Sequence, residues 1–397
     1  MTKWPTIRLG ECCAVVSGGT PKTGIAEYWG DEICWATPAD LGKLDGKLIG
    51  DTPRKLSSDG LRSCSAAVLP VGSVLLSSRA PIGHVAINTV PMATNQGFKS
   101  LVPHRDQVNP DYLYYWLRMH RSYLDTLGVG ATFKEISKAV VSRIEIPLPP
   151  IELQKQVAET LDQADALLAK RRRSIALLDD LARSFFLEMF GETADGYQEF
   201  MVEDLAADRR NSIRTGPFGS QLLHSEFVES GISVLGIDNA VNNEFRWAKR
   251  RFVTEGKYRK LSRYQVFPGD IIITIMGTCG RCAVVPEDIG VAINTKHLCC
   301  ISLDRSKCLP EFLHSYFLMH PSARSYLQRT AKGAIMSGLN MNIIKAMPVA
   351  LPPLAQQERY VAVAREVQDQ KLRQLRHLEE LEELFDSLQA KAFHGEL

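Results

Sequence analysis

Two stretches decide the reading of this chain: Leu148-Pro-Pro-Ile-Glu-Leu-Gln154 and Leu351-Pro-Pro-Leu-Ala-Gln-Gln357. Proline cannot continue a strand or sit inside a helix, but its missing N–H is tolerated in a helix's first turn. Each stretch therefore marks a switch from a globular region to a helix. After the first, Val157, Leu161, Ala164, Leu168, Arg171, Ile175, Leu178, Ala182, Phe185 and Met189 follow at alternating spacings of four and three. That is a heptad seam. At an offset of 203, Tyr360, Ala364, Val367, Lys371, Gln374, Leu378, Leu381, Phe385, Leu388 and Ala392 repeat it. Neither segment contains Gly or Pro, so the prediction is two long helices whose stripes cover each other.

Working outward, the repeat extends over each half. Gly130-Ala131 matches Gly333-Ala334, Pro110-Asp-Tyr-Leu113 matches Pro310-Glu-Phe-Leu313, and Gly72 and Gly83 match Gly269 and Gly280. An ordered series of this kind indicates an internal duplication. In each half, the first ~110 residues are short apolar runs such as Ser73–Ser77 and Asp270–Ile275, broken by Gly, Pro, Asn and Asp, which read as strands and turns. An aromatic-rich helix follows, over Asp111–Leu127 or Glu311–Gln328, and then a glycine-containing loop. The expected architecture is α+β: two similar mixed domains, 1–150 and 191–353, separated by an antiparallel coiled coil of helices 151–190 and 354–397. The seam rests on Val157, Leu161, Leu168, Ile175, Leu178, Phe185, Val367, Leu378, Leu381 and Leu388. Antiparallel pairing would put the domains at opposite ends of a rod. About 37 helical residues would span roughly 55 Å, enough to hold two readers a duplex turn of about 34–36 Å apart.

Composition narrows the function. The chain has 397 residues, 45% hydrophobic and 23% charged, an ordinary globular balance. Its longest wholly aliphatic run is far shorter than the ~20 residues that cross a bilayer. The opening Met1–Arg8 lacks the apolar core of a secretion signal. Nine cysteines, several adjacent, do not resemble a secreted disulfide framework. The expectation is a cytoplasmic protein with no membrane partner. Net charge is +2, with +3 in each globular block and slight negative charge in 151–190 and 354–397. A strong autonomous nucleic-acid binder is usually more basic.

Further motifs carry a resemblance. Ser17-Gly-Gly-Thr-Pro21, with Tyr28-Trp29-Gly30 and Ile33-Cys-Trp35, resembles the opening of a target recognition domain in the specificity subunits of type I restriction–modification systems. Thr215-Gly-Pro-Phe-Gly-Ser-Gln-Leu222, Gly231-Ile-Ser-Val-Leu235 and Pro268-Gly-Asp-Ile-Ile-Ile-Thr274 with Gly280-Arg281 are similar in the second half. The likeness covers essentially the full length. It departs where the family's Glu-Gln pair after the prolines becomes Leu153-Gln154 and Gln356-Gln357, and where Pro147 becomes Ala350. The resemblance implies a non-catalytic subunit whose two domains each read part of a split double-stranded DNA site; because the two halves differ in nearly every loop, the expected site is asymmetric. It further implies a coiled coil that sets the gap, DNA adenine methyltransferase (M) subunits docked on it, and a motor-nuclease (R) subunit for cleavage, with no cofactor of its own. A recognition subunit serving a fused methyltransferase-nuclease, or a coiled-coil adaptor without DNA affinity, fits the same pattern. Catalysis by the chain itself lacks its motifs: there is no Asp/Asn-Pro-Pro-aromatic sequence and no Gly-x4-Gly-Lys-Ser/Thr loop.

Base reading needs planar or bidentate hydrogen-bonding side chains, and phosphate contact needs Lys, Arg or loop amides. The candidates are Lys22, Arg79, Asn95, Gln96, Lys99 and Lys134 in the first half. In the second they are Arg214, Gln221, Thr278, Arg281, Lys296 and Lys332. The same residue types also occur as ordinary solvated loop side chains. Lys170-Arg-Arg-Arg173 could track phosphate, although a basic run is commonly a solvated helix face, and Arg171 falls on the seam. Cys279-Gly-Arg-Cys282 with Cys299-Cys300 has zinc-knuckle spacing. The aligned first-half positions are Ile82 and Val85, however, so no metal is expected. Trp35, Trp116, Tyr114 and Tyr115 read as core, and His84 and His297 have no evident catalytic partner.

Overall fold

The computed structural model describes residues 4–79, 81–130, 134–191, 196–247, 249–330 and 339–396. Both proline junctions start long helices, Ile151–Phe190 and Leu354–His394. The chain packs as two units, Met1–Arg173 with Arg376–Leu397, and Ser174–Leu375. Each unit thus holds one mixed domain, the beginning of its own long helix and the end of the other.

In the first unit, Thr6–Arg8 pairs antiparallel with Glu145–Pro147, tying the start of the domain to the segment before the helix. A five-stranded sheet runs Cys13–Ser17, Lys99–Pro103, Val74–Leu76, Val85–Asn88, Leu48–Ile49. A second sheet runs Trp29–Gly30, Lys55–Leu56, Ile33–Ala36, Met92–Thr94, the last pair parallel. Asn109 caps the helix Pro110–Met119, its side chain accepting from the Tyr112 amide, and that helix buries Tyr112 through Leu117. Leu161 and Leu168 share its core with Phe385 and Ala392 and with the partly buried Leu378, Leu381 and Leu388.

The second unit repeats the plan. Gln198–Met201 pairs antiparallel with Pro348–Leu351. One sheet runs Ile213–Thr215, Leu298–Ile301, Ile271–Thr274, Cys282–Val284. The other runs Phe252–Val253, Ile232–Leu235, Ala292–Asn294, Gln265–Val266, again with one parallel pair. Phe186 and Phe190 from the end of the first long helix pack in its core with Tyr360 and Val361 from the start of the second. In both units the beginning of one helix lies beside the end of the other, so the pair is antiparallel.

Every seam position is shielded. Val157, Leu161 and Leu168 are buried; Ile175, Leu178, Phe185, Val367, Leu378, Leu381 and Leu388 are half-buried. Phe186, one step off the heptad, is buried more deeply than Phe185: both rings meet Tyr360, but Phe186 also packs on Phe190, Phe312 and His320. Charge also ties the helices: Arg172 reaches Glu382 at 2.6 Å, and Lys371, on the seam, reaches Asp179 at 2.6 Å.

Sequence reasoning expected one helix over Asp111–Leu127 and one over Glu311–Gln328. Each is two: Pro110–Met119 and Arg121–Thr126, and Pro310–Met319 and Pro321–Thr330. The second break has a covalent cause, since proline drives the preceding residue out of helical geometry, and His320 is extended at φ −68°, ψ 131°. Gly130 is described, but Ala131, Gly333 and Ala334 of the matched loop lie outside the described residues. No described helix is long and apolar enough to cross a membrane.

Candidate nucleic-acid interface

Glycine brings the candidate loops of the first domain together. The Gly19 amide donates to the Thr94 carbonyl at 2.9 Å, and a Cβ at Gly18 would lie 1.9 Å from the Asn95 carbonyl oxygen. Ser17–Lys22 therefore lies directly against Thr94–Phe98, and Thr20 donates to Gln96. On the other side, the Ser78 amide donates to Gly97 O at 2.7 Å, and the Ile136 amide to Ser78 O at 2.9 Å. The hairpin carrying Arg79 is thus flanked by the loop of Asn95 and Gln96 and by the segment Lys134–Ile136.

Side chains complete this cluster. Glu135 Oε2 accepts from Arg79 Nε at 3.1 Å and Nη2 at 2.6 Å, and Oε1 accepts from Lys99 Nζ at 3.1 Å. Burial pushes the Glu135 carboxyl up, but the hydrogen bonds and charges of Lys99 and Arg79 outweigh it and hold the group below the usual carboxylate range. Lys99 is only 7% exposed, so its charge serves Glu135 rather than solvent. Lys22 and Gln96 are exposed and Asn95 is half-buried. Lys134 is exposed beside Asp125 at 3.3 Å.

In the second domain a Cβ at Gly216 would lie 2.2 Å from the Asn294 carbonyl oxygen, the same close approach as at Gly18. The Ile275 amide donates to His297 O at 2.9 Å, which sets the hairpin Thr274–Arg281 beside Lys296. Thr274 Oγ1 accepts from the Arg281 amide at 2.9 Å and donates to Thr278 O, closing that hairpin. Thr278 and Arg281 are exposed on it, and Lys296 is half-buried nearby.

Two second-half candidates lie elsewhere. Arg214 is 6% exposed. Its Nη2 donates to Asp270 Oδ2 at 2.5 Å and its Nη1 to Ser302 Oγ at 3.0 Å. A guanidinium spent inside the domain cannot contact a duplex, so Arg214 is structural, against the expectation. Gln221 sits apart, accepting from Arg263 at 3.0 Å and Tyr264 at 2.8 Å. Lys332 lies outside the described residues. Sequence reasoning passed over Glu135, the residue that organises the first cluster.

The cysteines of the second domain line its interior. Cys282, Cys299 and Cys300 are buried, with Cys299 and Cys300 in cores on opposite sides of one strand. Burial pushes the Cys299 thiol up to about 12 and the Cys282 and Cys300 thiols well above their usual value. Metals bind the thiolate. Among the described residues, no three His, Cys, Asp or Glu side chains are grouped to hold a metal ion. Trp35, Tyr114, Tyr115 and Trp116 are all buried.

The family model for the type I restriction modification DNA specificity domain matches residues 1–177 and 224–383, one match on each half. The chain belongs to this family. Among curated specificity subunits, it is similar to the MjaIX specificity subunit of Methanocaldococcus jannaschii, 35% identical over 189 residues, covering 47% of this chain and 44% of that protein. It is also similar to the MjaVIII specificity subunit of the same organism, 24% identical over 258 residues, covering 62% and 60%. The chain thus spans about half the length of these two relatives. In fold it is similar to the crystal structure of a type I restriction–modification S subunit from M. genitalium, with a TM-score of 0.59 at 13% identity, covering 99% of this chain and 96% of that one.

Proposed function

We propose that this chain is the non-catalytic recognition subunit of a type I restriction–modification complex, reading a bipartite, asymmetric DNA site. The observation that carries the reading is one scaffold built twice and furnished differently. Gly18 and Gly216 make the same close loop contact in the two halves. The hairpins beside those loops, however, present Arg79 in the first half and Met276, Thr278 and Arg281 in the second. A duplicated frame with unlike loop side chains suits two readers of unlike sequence.

In this reading Lys22, Arg79, Asn95, Gln96 and Lys134 face the first part of the site, and Thr278, Arg281, Lys296 and Lys332 the second. Lys99 acts through Glu135. The helix pair sets the number of unread base pairs and offers a surface to adenine methyltransferase subunits, with a motor-nuclease subunit joining for cleavage. The weak net charge of +2 fits a reader that engages DNA with its partners rather than alone. The cytoplasm is the compartment this reading requires.

The test is to co-express the chain with its methyltransferase partner in a host without adenine methylation and map the methylated adenines. A single interrupted, non-palindromic motif is expected. An uninterrupted or palindromic motif would overturn the reading.

A further inference from the structure

Arg79 is held in a way that fits one base. A carboxylate can meet a guanidinium along its side, through Nε and one Nη, or along its outer edge, through both Nη atoms. Glu135 takes the side, with Oε2 accepting from Nε at 3.1 Å and Nη2 at 2.6 Å. The outer edge, Nη1 and the second hydrogen of Nη2, remains, and among the described residues Nη1 makes no hydrogen bond. The main chain fixes the root of the side chain, because Arg79 and Glu135 form an antiparallel bridge. Lys99 Nζ, 3.1 Å from Glu135 Oε1, offsets the carboxylate, so the trio carries a net charge of about +1 and does not repel a phosphate backbone.

Two parallel donors on a fixed fork match two adjacent acceptors. In the major groove, guanine offers that pair as N7 and O6. We propose that Arg79, positioned by Glu135, reads a guanine in the part of the site facing the first domain. This rests on the DNA-recognition reading above. Glu135 itself touches no base; it is a positioning residue that removes the rotamer freedom Arg79 would otherwise lose on binding.

The duplication supplies a contrast. Gly83 and Gly280 both take the left-handed turn conformation, φ 84° and 83°, and counting back four residues from each sets Arg79 against Met276. Met276 is exposed and apolar. It has no hydrogen-bond donor for a guanine, so the second domain makes no such contact from this position.

The test maps the methylated motif of the full chain with its methyltransferase partner, for the wild type and for Arg79→Met, Arg79→Lys and Glu135→Gln. Arg79→Met is expected to relax one G·C position in one part of the motif by about ten- to hundred-fold. The other part should be unchanged, which also reports that the variant is folded. Arg79→Lys keeps the charge and the ion pair but not the fork. It should lose the same discrimination while retaining overall methylation, and it decides the matter if Arg79→Met fails to fold. Glu135→Gln should weaken discrimination at that same position by a smaller factor. If both Arg79 variants reduce methylation of all sequences alike, with the motif intact, Arg79 is a phosphate contact and the proposal fails. If the wild type yields no interrupted motif, the underlying reading of the chain fails instead.

Discussion

Gln154 and Gln357 make the same three hydrogen bonds in the two halves. Gln154 Oε1 accepts from the Asn109 amide at 2.9 Å, and its Nε2 donates to Gln107 O and Pro149 O, both at 2.8 Å. Gln357 Oε1 accepts from the Leu309 amide at 2.9 Å, and its Nε2 donates to Lys307 O and Pro352 O, both at 2.9 Å. Both side chains are fully buried. Each joins the first turn of a long helix to the loop before the aromatic helix of its own domain, so it fixes how the domain sits on the helix that leaves it.

Replacing Gln357 by Leu would leave the Leu309 N–H and two carbonyls without this partner in a buried place. A buried group left unsatisfied costs about 1–3 kcal/mol, and the costs of groups sharing one site do not simply add. The expected loss is about 2–4 kcal/mol, read from the urea midpoint of the second unit's unfolding. Gln154→Leu should cost a similar amount in the first.

A second tie differs between halves in an instructive way. Lys47 Nζ bridges Asp111 and Asp162 at 2.5 Å each, and Tyr115 donates to Asp162 at 2.6 Å. In the second half Glu311 stands for Asp111, and Arg365 stands for Asp162, and these two pair directly. Lys47→Met would leave two carboxylates close together. The expected cost is about 1–2 kcal/mol, limited because all three groups keep contact with water. Adding Asp162→Asn should recover part of it, and a double-mutant cycle by thermal unfolding measures the coupling.

Protonation should weaken the second unit below neutral pH. Burial lowers the titration of His314, against the hydrogen bonds of its Nε2 to Asn243 O and Cys282 O, and burial likewise lowers His320, against its bond to Phe190 O. A folded value below the unfolded ~6.5 means that stability is fully present above pH 6.5 and is lost as pH falls through the folded values. Urea midpoints at pH 7.5 and 5.5 should therefore differ, and His314→Gln should narrow the difference. An equal drop in wild type and variant would show that this histidine takes up its proton equally readily in the folded and unfolded chain.

The fold was largely legible because its signals are periodic or covalent. A four-three spacing over ten positions needs only a helix and a partner stripe. The proline pairs stop and start elements by their missing N–H, and Gly83 and Gly280 mark matching turns. The site was less legible, because residue type says what a side chain can bond and not which way it faces. Arg214 has the chemistry of a base reader but meets Asp270, 56 residues along the chain, inside the domain. Glu135 likewise reaches Arg79 across 56 residues, and its neighbour Lys134, the more obvious choice for DNA, sits outside that cluster. The break at Pro321 could have been read directly, since a proline there forbids one continuous helix.

In the proposed function the two halves are unlike readers and the helix pair sets the unread gap. Inserting one heptad after Arg173 and another after Leu375 keeps the seam in register and adds about 10 Å of helix to each. Methylated adenines are then mapped with the methyltransferase partner present. The account predicts that both specified parts of the motif stay as they were while the unread gap between them lengthens. An active variant whose gap is unchanged would contradict it.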